Sequence, residues 1–431
     1  MNSEWKSVGN GHLEGPIPIP DLDPSKLTIT LTKSPKAIPA PETLIFGGVM
    51  SDHMLVASFD PVSGWSAPEI KPYGPFTLDP ASSCFQYATN TFEGMKAYIG
   101  PDGAPRLFRP AKNMARLARS AERLALPKFI GRQPFNPDAL LELIKKLVVI
   151  DQRWIPNIEG YSLYIRPTII GTRSALGVSA SDHALLYVIL SPTGPYFRTG
   201  PKPISLLAAA ENVRAWPGGT GSHKVAGNYA PGFLPQRIAA KQGYDQILWL
   251  LRDENEWKVT EAGAMNVFVV VDREDGDFDL ITPPLDGTIL PGVTRDSILA
   301  IAKAHTTGKL TLPGLSPTRC LHPHERAFAI SDLDRWLSEG KLREMFAVGT
   351  AAVVAPVGRV GFQDDLKKLA RDLVLPSYEA GMGPVSRGVR QMIVDIQEGK
   401  FEWDGWCGSF NERLTLREHG NASNWLGRFS T

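Results

Sequence analysis

Residues 216–231 read WPGGTGSHKVAGNYAP, and the fold turns on what this stretch is for. Between Arg214 and Arg237 only Lys224 has a formal charge; glycine, proline, alanine and small polar side chains surround it. A phosphate-binding loop needs glycine directly before the lysine and serine or threonine directly after. His223 and Val225 occupy those places, so that reading fails. A solvated loop lysine is the ordinary case. The sharper alternative is a lysine that forms an imine with an aldehyde cofactor and must shed its proton to do so. A charge-poor surround of small residues suits a ring packed against backbone, but the stretch alone does not choose between these two.

Working outward, the whole chain bounds the answer. Its 431 residues can bury more than one core, and length implies roughly two or three domains. With 46 basic and 45 acidic residues, neither a nucleic-acid nor an anionic-membrane footprint is visible. No apolar run approaches the roughly 18 residues of a membrane-spanning helix. Cys84, Cys320 and Cys407 are far apart, with no CxxC pair, which favours a reducing compartment. The N-terminal MNSEWKSVGNGHLEGPIPIPDLDPS has no apolar signal core and no arginine, and carries Glu4 and Glu14, so a cytoplasmic location is expected over a mitochondrial one.

Residues 1–41 read as an irregular, proline-rich arm. TLIFGG (43–48), HMLVASFD (53–60) and SCFQYATNTFEGMKAYIG (83–100) read as strands. NMARLARSAERLAL (113–126), apolar at Met114, Leu117, Leu124 and Leu126, predicts an amphipathic helix stopped by Pro127. NPDALLELIKKLVVID (136–151) predicts a second, with Asn136 as cap and Pro137 in the first turn. YSLYIRPTIIG (161–171) and HALLYVILSP (183–192) read as strands, and PTGPYFRTGPKP (192–203) as a boundary. Beyond it ISLLAAA, QILWLL, MNVFVVVD and DLITPP are strands, and a helix begins near Thr294. The expectation is an α+β chain with mixed sheets and flanking helices: an arm 1–41, a small domain 42–197, a linker 198–203, a large domain 204–404 and an extension 405–431.

Several stretches could supply what an imine-forming lysine needs. In VTEAGAMNVFVVV (259–271) Glu261 precedes a small-residue turn and an apolar strand. A strand-edge acid is the bland reading; a carboxylate keeping a pyridinium nitrogen protonated is the functional one. In PPLDGTILPGVTRDSILAIAKAH (283–305) the free amides of Val293 and Thr294 at a helix start suit an anion, as they do at many helices that bind none. FAVGTAAVVAP (346–356) offers the Thr350 hydroxyl and backbone donors beside Gly349. Arg166 in LYIRP reads as half of a structural ion pair or as a fork for a substrate carboxylate. Arg116, near Arg109, Arg119 and Arg123, reads by itself as part of a solvated basic face. His322 and His324 flank Pro323, but no set with metal spacing surrounds them, so no metal is expected. No GxSxG elbow and no convincing GxGxxG follows a strand. The sequon at Asn421 carries no weight in a cytosolic chain.

Taken in order, FEGMKAY (92–98), RLFRPAKNMARL (106–117), LYIRPTIIG (163–171), LGVSASDHALLYVILSPTGPYF (176–197), RAWPGGTGSHKVAGNYAP (214–231), QILWL (246–250), TEAGAMNVFV (260–269), TPPLDGTILPGVTRDSIL (282–299) and EMFAVGTAAVVAPV (344–357) resemble the branched-chain amino acid aminotransferases, fold type IV pyridoxal-phosphate enzymes, most closely their eukaryotic branch. The resemblance covers about residues 44–404. It implies a two-domain fold and transfer of the amino group of leucine, isoleucine or valine to 2-oxoglutarate. It implies Lys224 as the cofactor-bound base, Glu261 at the ring nitrogen and Tyr229 at the ring oxygen. Arg116, Thr350 and the amides of Val293 and Thr294 would hold the phosphate. Phe46, Phe92, Tyr164, Tyr196 and Gln246 would line the pocket. Tyr87, Arg166, Leu176 and Val178 would complete it, some from the partner of a homodimer. Amides around Thr350 and Ala351 would take the α-carboxylate. Three departures stand out. Ala352 and Ala355 replace a cysteine pair of mammalian relatives, so no thiol switch is expected there. Ala264 stands where threonine is frequent, and the extension from 405 lies outside the pattern.

Overall fold

The computed structural model describes residues 19–127, 133–196, 202–254, 256–363 and 371–410. Residues 1–18 of the arm, 198–201 of the linker, and 411–431 of the extension with its sequon lie outside them.

Two mixed sheets carry the chain. The first runs in the order Thr28–Ile29, Glu69–Pro72, His53–Asp60, Ala184–Thr193, Ser162–Gly171, Met95–Ile99, Pro105–Phe108, Cys407–Ser409. Asn90–Phe92 pairs with Ser162–Gly171 beside that path. Two helices pack on this sheet: α2 (Pro110–Arg123) and α3 (Pro137–Ile150), after the short α1 (Ser83–Tyr87). Helix α3 starts where Asn136 Oδ1 accepts from the amides of Asp138 and Ala139, which satisfies two orphan donors. Its Leu140, Leu143, Ile144 and Leu147 join Met114 and Leu117 of α2 and Leu55, Leu163 and Ile165 of the sheet in one core.

The second sheet follows the order Glu256–Ala262, Gln246–Asp253, Ile204–Ala209, Val353–Gln363, Leu342–Gly349, Met265–Asp272, Phe278–Thr282, Leu321–Glu325. Glu256–Ala262 also pairs with Met265–Asp272, through Glu261–Asn266 and Ala262–Met265, so six of its strands close into a ring. Leu206, Leu248, Val259, Val267, Ala347 and Val357 belong to one core of this sheet. On another face, Ile298 and Ile301 of α5 (Val293–Thr306) and Val389 and Ile393 of α7 (Pro384–Gln397) pack with Phe268 and Phe346. Helices α4 (Phe233–Lys241) and α6 (Ile330–Ser338) complete the seven among the described residues.

Four local expectations need correction. TLIFGG is not a strand: Gly48 N bonds Ile45 O across a turn, Gly47 sits at φ 69°, and Ile45 and Phe46 stay exposed without a pairing strand. The start of SCFQYATNTF is helix α1, begun by a turn in which Ala81 N bonds Asp79 Oδ1 and ended by Ala88 in the left-handed region. Helix α2 begins three residues earlier than Asn113 and ends at Arg123, before Pro127, because Ala125 is left-handed. Its Arg116 is buried among Met114, Leu117 and Ala118 rather than on a solvated face. The extension is also anchored at its start. Cys407–Ser409 pairs antiparallel with Pro105–Phe108, and the Trp406 ring lies 4.1 Å under the Arg109 guanidinium.

Candidate active site

The glycine-rich loop is tied down on three sides. Lys224 N donates to Ser120 Oγ of α2 at 2.9 Å, and Lys224 O accepts from Thr91 Oγ1 at 2.9 Å and Phe92 N at 3.2 Å. Asn228 Nδ2 closes the turn onto the carbonyls of Thr220 and His223. Two successive 3-10 turns then place Tyr229 beside the lysine. Lys224 Nζ lies 3.2 Å from Tyr229 Oη and 4.9 Å from the Phe92 ring centre. The half-buried lysine thus has a hydroxyl and a ring as neighbours.

Behind it sits a buried ion pair that the sequence reading did not single out. Glu93 is 0% exposed and receives Arg116 Nε at 2.6 Å, Arg116 Nη2 at 2.8 Å and Asn113 Nδ2 at 2.8 Å. Burial works to raise the Glu93 carboxyl, but the Arg116 charge and hydrogen bonds, with Lys224 beyond, hold it below the ordinary carboxylate value. Arg116 Nη1 donates to Pro291 O at 3.0 Å, which brings the guanidinium to the start of α5. There the first intrahelical bond runs from Asp296 N to Gly292 O, so the amides of Val293 and Thr294 have no acceptor within the helix. A guanidinium beside free first-turn amides is an anion cradle. A Cβ at Gly292 would stand 2.1 Å from Asn266 Oδ1, so a larger residue there would displace the Asn266 side chain.

Glu261 closes the third corner, on the hairpin that completes the ring of strands. Its Oε1 accepts from Asn266 Nδ2 at 2.8 Å and Leu290 N at 3.2 Å. Arg214 Nε stands 2.7 Å from Oε2, yet not in hydrogen-bonding alignment, so this buried oxygen keeps an unused acceptor site. Burial raises the Glu261 carboxyl, opposed first by the Arg214 charge. Such an oxygen fits a protonated ring nitrogen. With the anion cradle and the Lys224–Tyr229 pair, the donor set fits pyridoxal phosphate.

The remaining pocket residues fall into two groups. Phe46 and Tyr164 meet edge to face at 4.7 Å; Arg166 Nη2 is 3.2 Å from Tyr164 Oη and its guanidinium is 4.9 Å from the Phe92 ring. No acid pairs with Arg166 among the described residues, and its buried Nε has no partner. The Thr350 hydroxyl bonds Gly94 O at 3.3 Å, and Lys96 Nζ bonds Ala351 O at 2.9 Å. Gly94 admits no side chain, since a Cβ would lie 1.9 Å from Tyr164 Oη. Gln246 lies under Gly263, which sits at φ +55° in the Glu261 hairpin, and Tyr196 is half exposed. Tyr87 bonds Leu176 O, and with Val178 these form a second, exposed group. Among the described residues no hydrogen bond or ring contact joins that group to Lys224.

Glu93, Asn113, Ser120, Arg214, Asn266 and Lys96 were missed. One signal was present: Asn113, Arg116 and Ser120 stand at i, i+3 and i+7, a polar stripe on the helix face that Met114 and Leu117 make apolar. Burial pulls the Lys96 ammonium down to about 8, with Arg390 adding to it. The unfolded chain therefore binds this proton more tightly than the folded one between pH about 8 and 10.5. Stability rises with pH in that window, by up to about 1.4 kcal/mol per pH unit. Urea unfolding should show wild type gaining on Lys96→Met as pH rises from about 8 to 10.5. Parallel curves would refute this.

The description Amino-transferase class IV matches residues 90–360. Over 399 residues the chain is 44% identical to the mitochondrial branched-chain-amino-acid aminotransferase of Schizosaccharomyces pombe, covering 93% of this chain and 87% of that one. It is 46% identical over 381 residues to the branched-chain-amino-acid aminotransferase of Monosiga brevicollis, covering 88% and 91%. The crystal structure of the T.th. branched-chain amino acid aminotransferase complexed with N-(5'-phosphopyridoxyl)-L-glutamate aligns at a TM-score of 0.59 and 25% identity, covering 83% of this chain and 98% of that one. The chain belongs to the class IV aminotransferases, in the branch of the branched-chain-amino-acid aminotransferases.

Proposed function

We propose that this protein is a pyridoxal-phosphate-dependent aminotransferase that moves the amino group of L-leucine, L-isoleucine or L-valine to 2-oxoglutarate, giving the branched 2-oxo acid and L-glutamate. The observation that carries this reading is Arg166, which has no acid partner among the described residues and is ringed by Phe92, Tyr164 and, through Tyr164, Phe46. Aromatic walls accept an aliphatic side chain. The unpaired guanidinium accepts the distal carboxylate of glutamate when the second substrate arrives.

Bound pyridoxal phosphate supplies an electron sink for charge developing at the substrate Cα. Lys224 would hold the cofactor at its aldehyde carbon, and its amine would serve as the base that moves the substrate Cα proton. The Tyr229 hydroxyl accepts from Lys224 Nζ at 3.2 Å, which holds the lysine in reach, and its own proton would serve the ring oxygen. Glu261 would keep the ring nitrogen protonated through Oε2, the buried oxygen without a hydrogen-bond partner among the described residues. Arg116, the Val293 and Thr294 amides and the Thr350 hydroxyl would hold the phosphate. The backbone amides at Thr350 and Ala351 take the α-carboxylate, in a turn that Lys96 holds by Ala351 O. Gln246 and Tyr196 border the side-chain pocket.

The exposed Tyr87, Leu176 and Val178 support a homodimer in which they cover the partner's pocket; Val178 is 86% exposed in the single chain. Three free cysteines support a reducing compartment, read as the cytoplasm. Leucine, isoleucine and valine differ by at most a methylene in size or by branching, worth about 1–3 kcal/mol, so discrimination among them is expected to be weak. Purified protein incubated with pyridoxal phosphate should absorb visible light and change on adding leucine. A panel of amino donors against 2-oxoglutarate should favour leucine, isoleucine and valine over aspartate and D-alanine. A colourless protein, or preference for D-alanine, overturns the reading.

A further inference from the structure

The strands Phe278–Thr282 and Leu321–Glu325 run parallel, with Phe278 opposite Leu321 and Asp279 opposite His322. Alternation sends Phe278, Leu280 and Leu321 into the core. The other face presents Asp277, Asp279, His322 and His324, continued by Cys320, all partly exposed. Donor atoms of Asp277, Cys320 and His322 all lie within 4.8 Å of one another. Asp277 Oδ2 is 3.0 Å from His322 Nε2, and Oδ1 accepts from Cys320 N at 2.8 Å, which fixes the carboxylate between the other two side chains.

The surrounding charges set Asp277 apart. Arg273 pairs with Asp275 at 2.8 Å and Asp279 at 2.9 Å, and Arg319 and Arg343 pair with Asp272. Among the described residues no arginine or lysine pairs with Asp277, which lies against His322 and Cys320. We propose that Asp277, Cys320 and His322 bind a zinc-like divalent cation, with water in the fourth position.

The chemistry of the set supports that choice. Thiolate, imidazole and carboxylate together are zinc donors, whereas calcium and magnesium take oxygen alone. Bond lengths of about 2.3 Å to sulfur and about 2.0–2.2 Å to nitrogen and oxygen place tetrahedral donors roughly 3.4–3.6 Å apart. The three donor atoms, all within 4.8 Å of one another, already stand close to that spacing. On binding, the thiol proton passes to solvent, the His322 ring proton moves from Nε2 to Nδ1, and the cation takes the place between His322 and Asp277. His324 stands alongside, held by Asp279 at 2.9 Å. Sequence spacing hid the site because Asp277 lies 45 residues before His322.

The test uses holoenzyme cleared of metal with a chelator, desalted, and titrated with Zn²⁺. One equivalent should bind per chain, with one sulfur at about 2.3 Å by zinc X-ray absorption. Cys320→Ser should lose that sulfur shell although Cys84 and Cys407 remain. His322→Gln should weaken binding by more than the roughly 10–100-fold that losing an outer-shell partner costs. Leucine aminotransferase activity measured in parallel should be unchanged in both variants, which reports that they are folded. A sulfur shell that survives in Cys320→Ser, affinity unchanged in His322→Gln, or no stoichiometric binding by wild type each overturns the site.

Discussion

Lys224→Ala should abolish transamination of leucine with 2-oxoglutarate, lowering kcat by at least the roughly 10²–10⁴-fold that a positioned acid–base group contributes. The anchoring amine is lost with the base, so the real deficit is larger. No neighbour can substitute. Lys96 is buried, and its amine is committed to Ala351 O. Tyr229 offers a hydroxyl rather than an amine. Cofactor binding should survive, because Arg116, the α5 amides and Glu261 are untouched by the change. Steady-state kinetics together with a cofactor titration checks both halves. Turnover within tenfold of wild type would refute the role.

Arg116→Ala should destabilise the protein by about 3–5 kcal/mol, the usual cost of stranding a buried charge. Glu93 has no exposure and two of its hydrogen bonds come from Arg116, so removal leaves a carboxylate with Asn113, the Gly94 amide and the more distant Lys224. The same change removes the cation from the anion cradle. The two losses are separable. Adding Glu93→Gln to Arg116→Ala should recover much of the stability, since the stranded charge is gone. Cofactor affinity should stay weak, since the cation is still missing. Urea unfolding of cofactor-free protein and a pyridoxal phosphate titration measure the two effects. A double variant that recovers both would mean Arg116 acts only as the partner of Glu93.

Much of this was legible in order along the chain. The capped α3, the long strands Ser162–Gly171 and Met265–Asp272 and the helix start at Val293 all follow from periodicity and turn chemistry that act locally. Local rules failed where local context was overruled. Apolar runs at 43–48 and 83–87 lacked a strand to pair with and became turn and helix. Arg116 read as solvated because three other arginines stand near it in sequence. Only the fold reveals that the polar stripe of α2 meets Glu93, from a strand region that precedes it by 23 residues.

By itself, the sequence determined which residue types were available and where: one lysine in a charge-poor loop, an acid before an apolar strand, a glycine-led helix start, and an ordered set of stretches that places the chain in its family. The tertiary structure alone decided their charge states and partners. Those depend on burial and on distances between atoms far apart along the chain. Glu93 is held ionised by a guanidinium, Glu261 keeps an acceptor site free, Arg166 has no acid among the described residues, and Asp277 lies against Cys320 and His322. Electrostatic energy falls with distance in space, and sequence separation does not encode it.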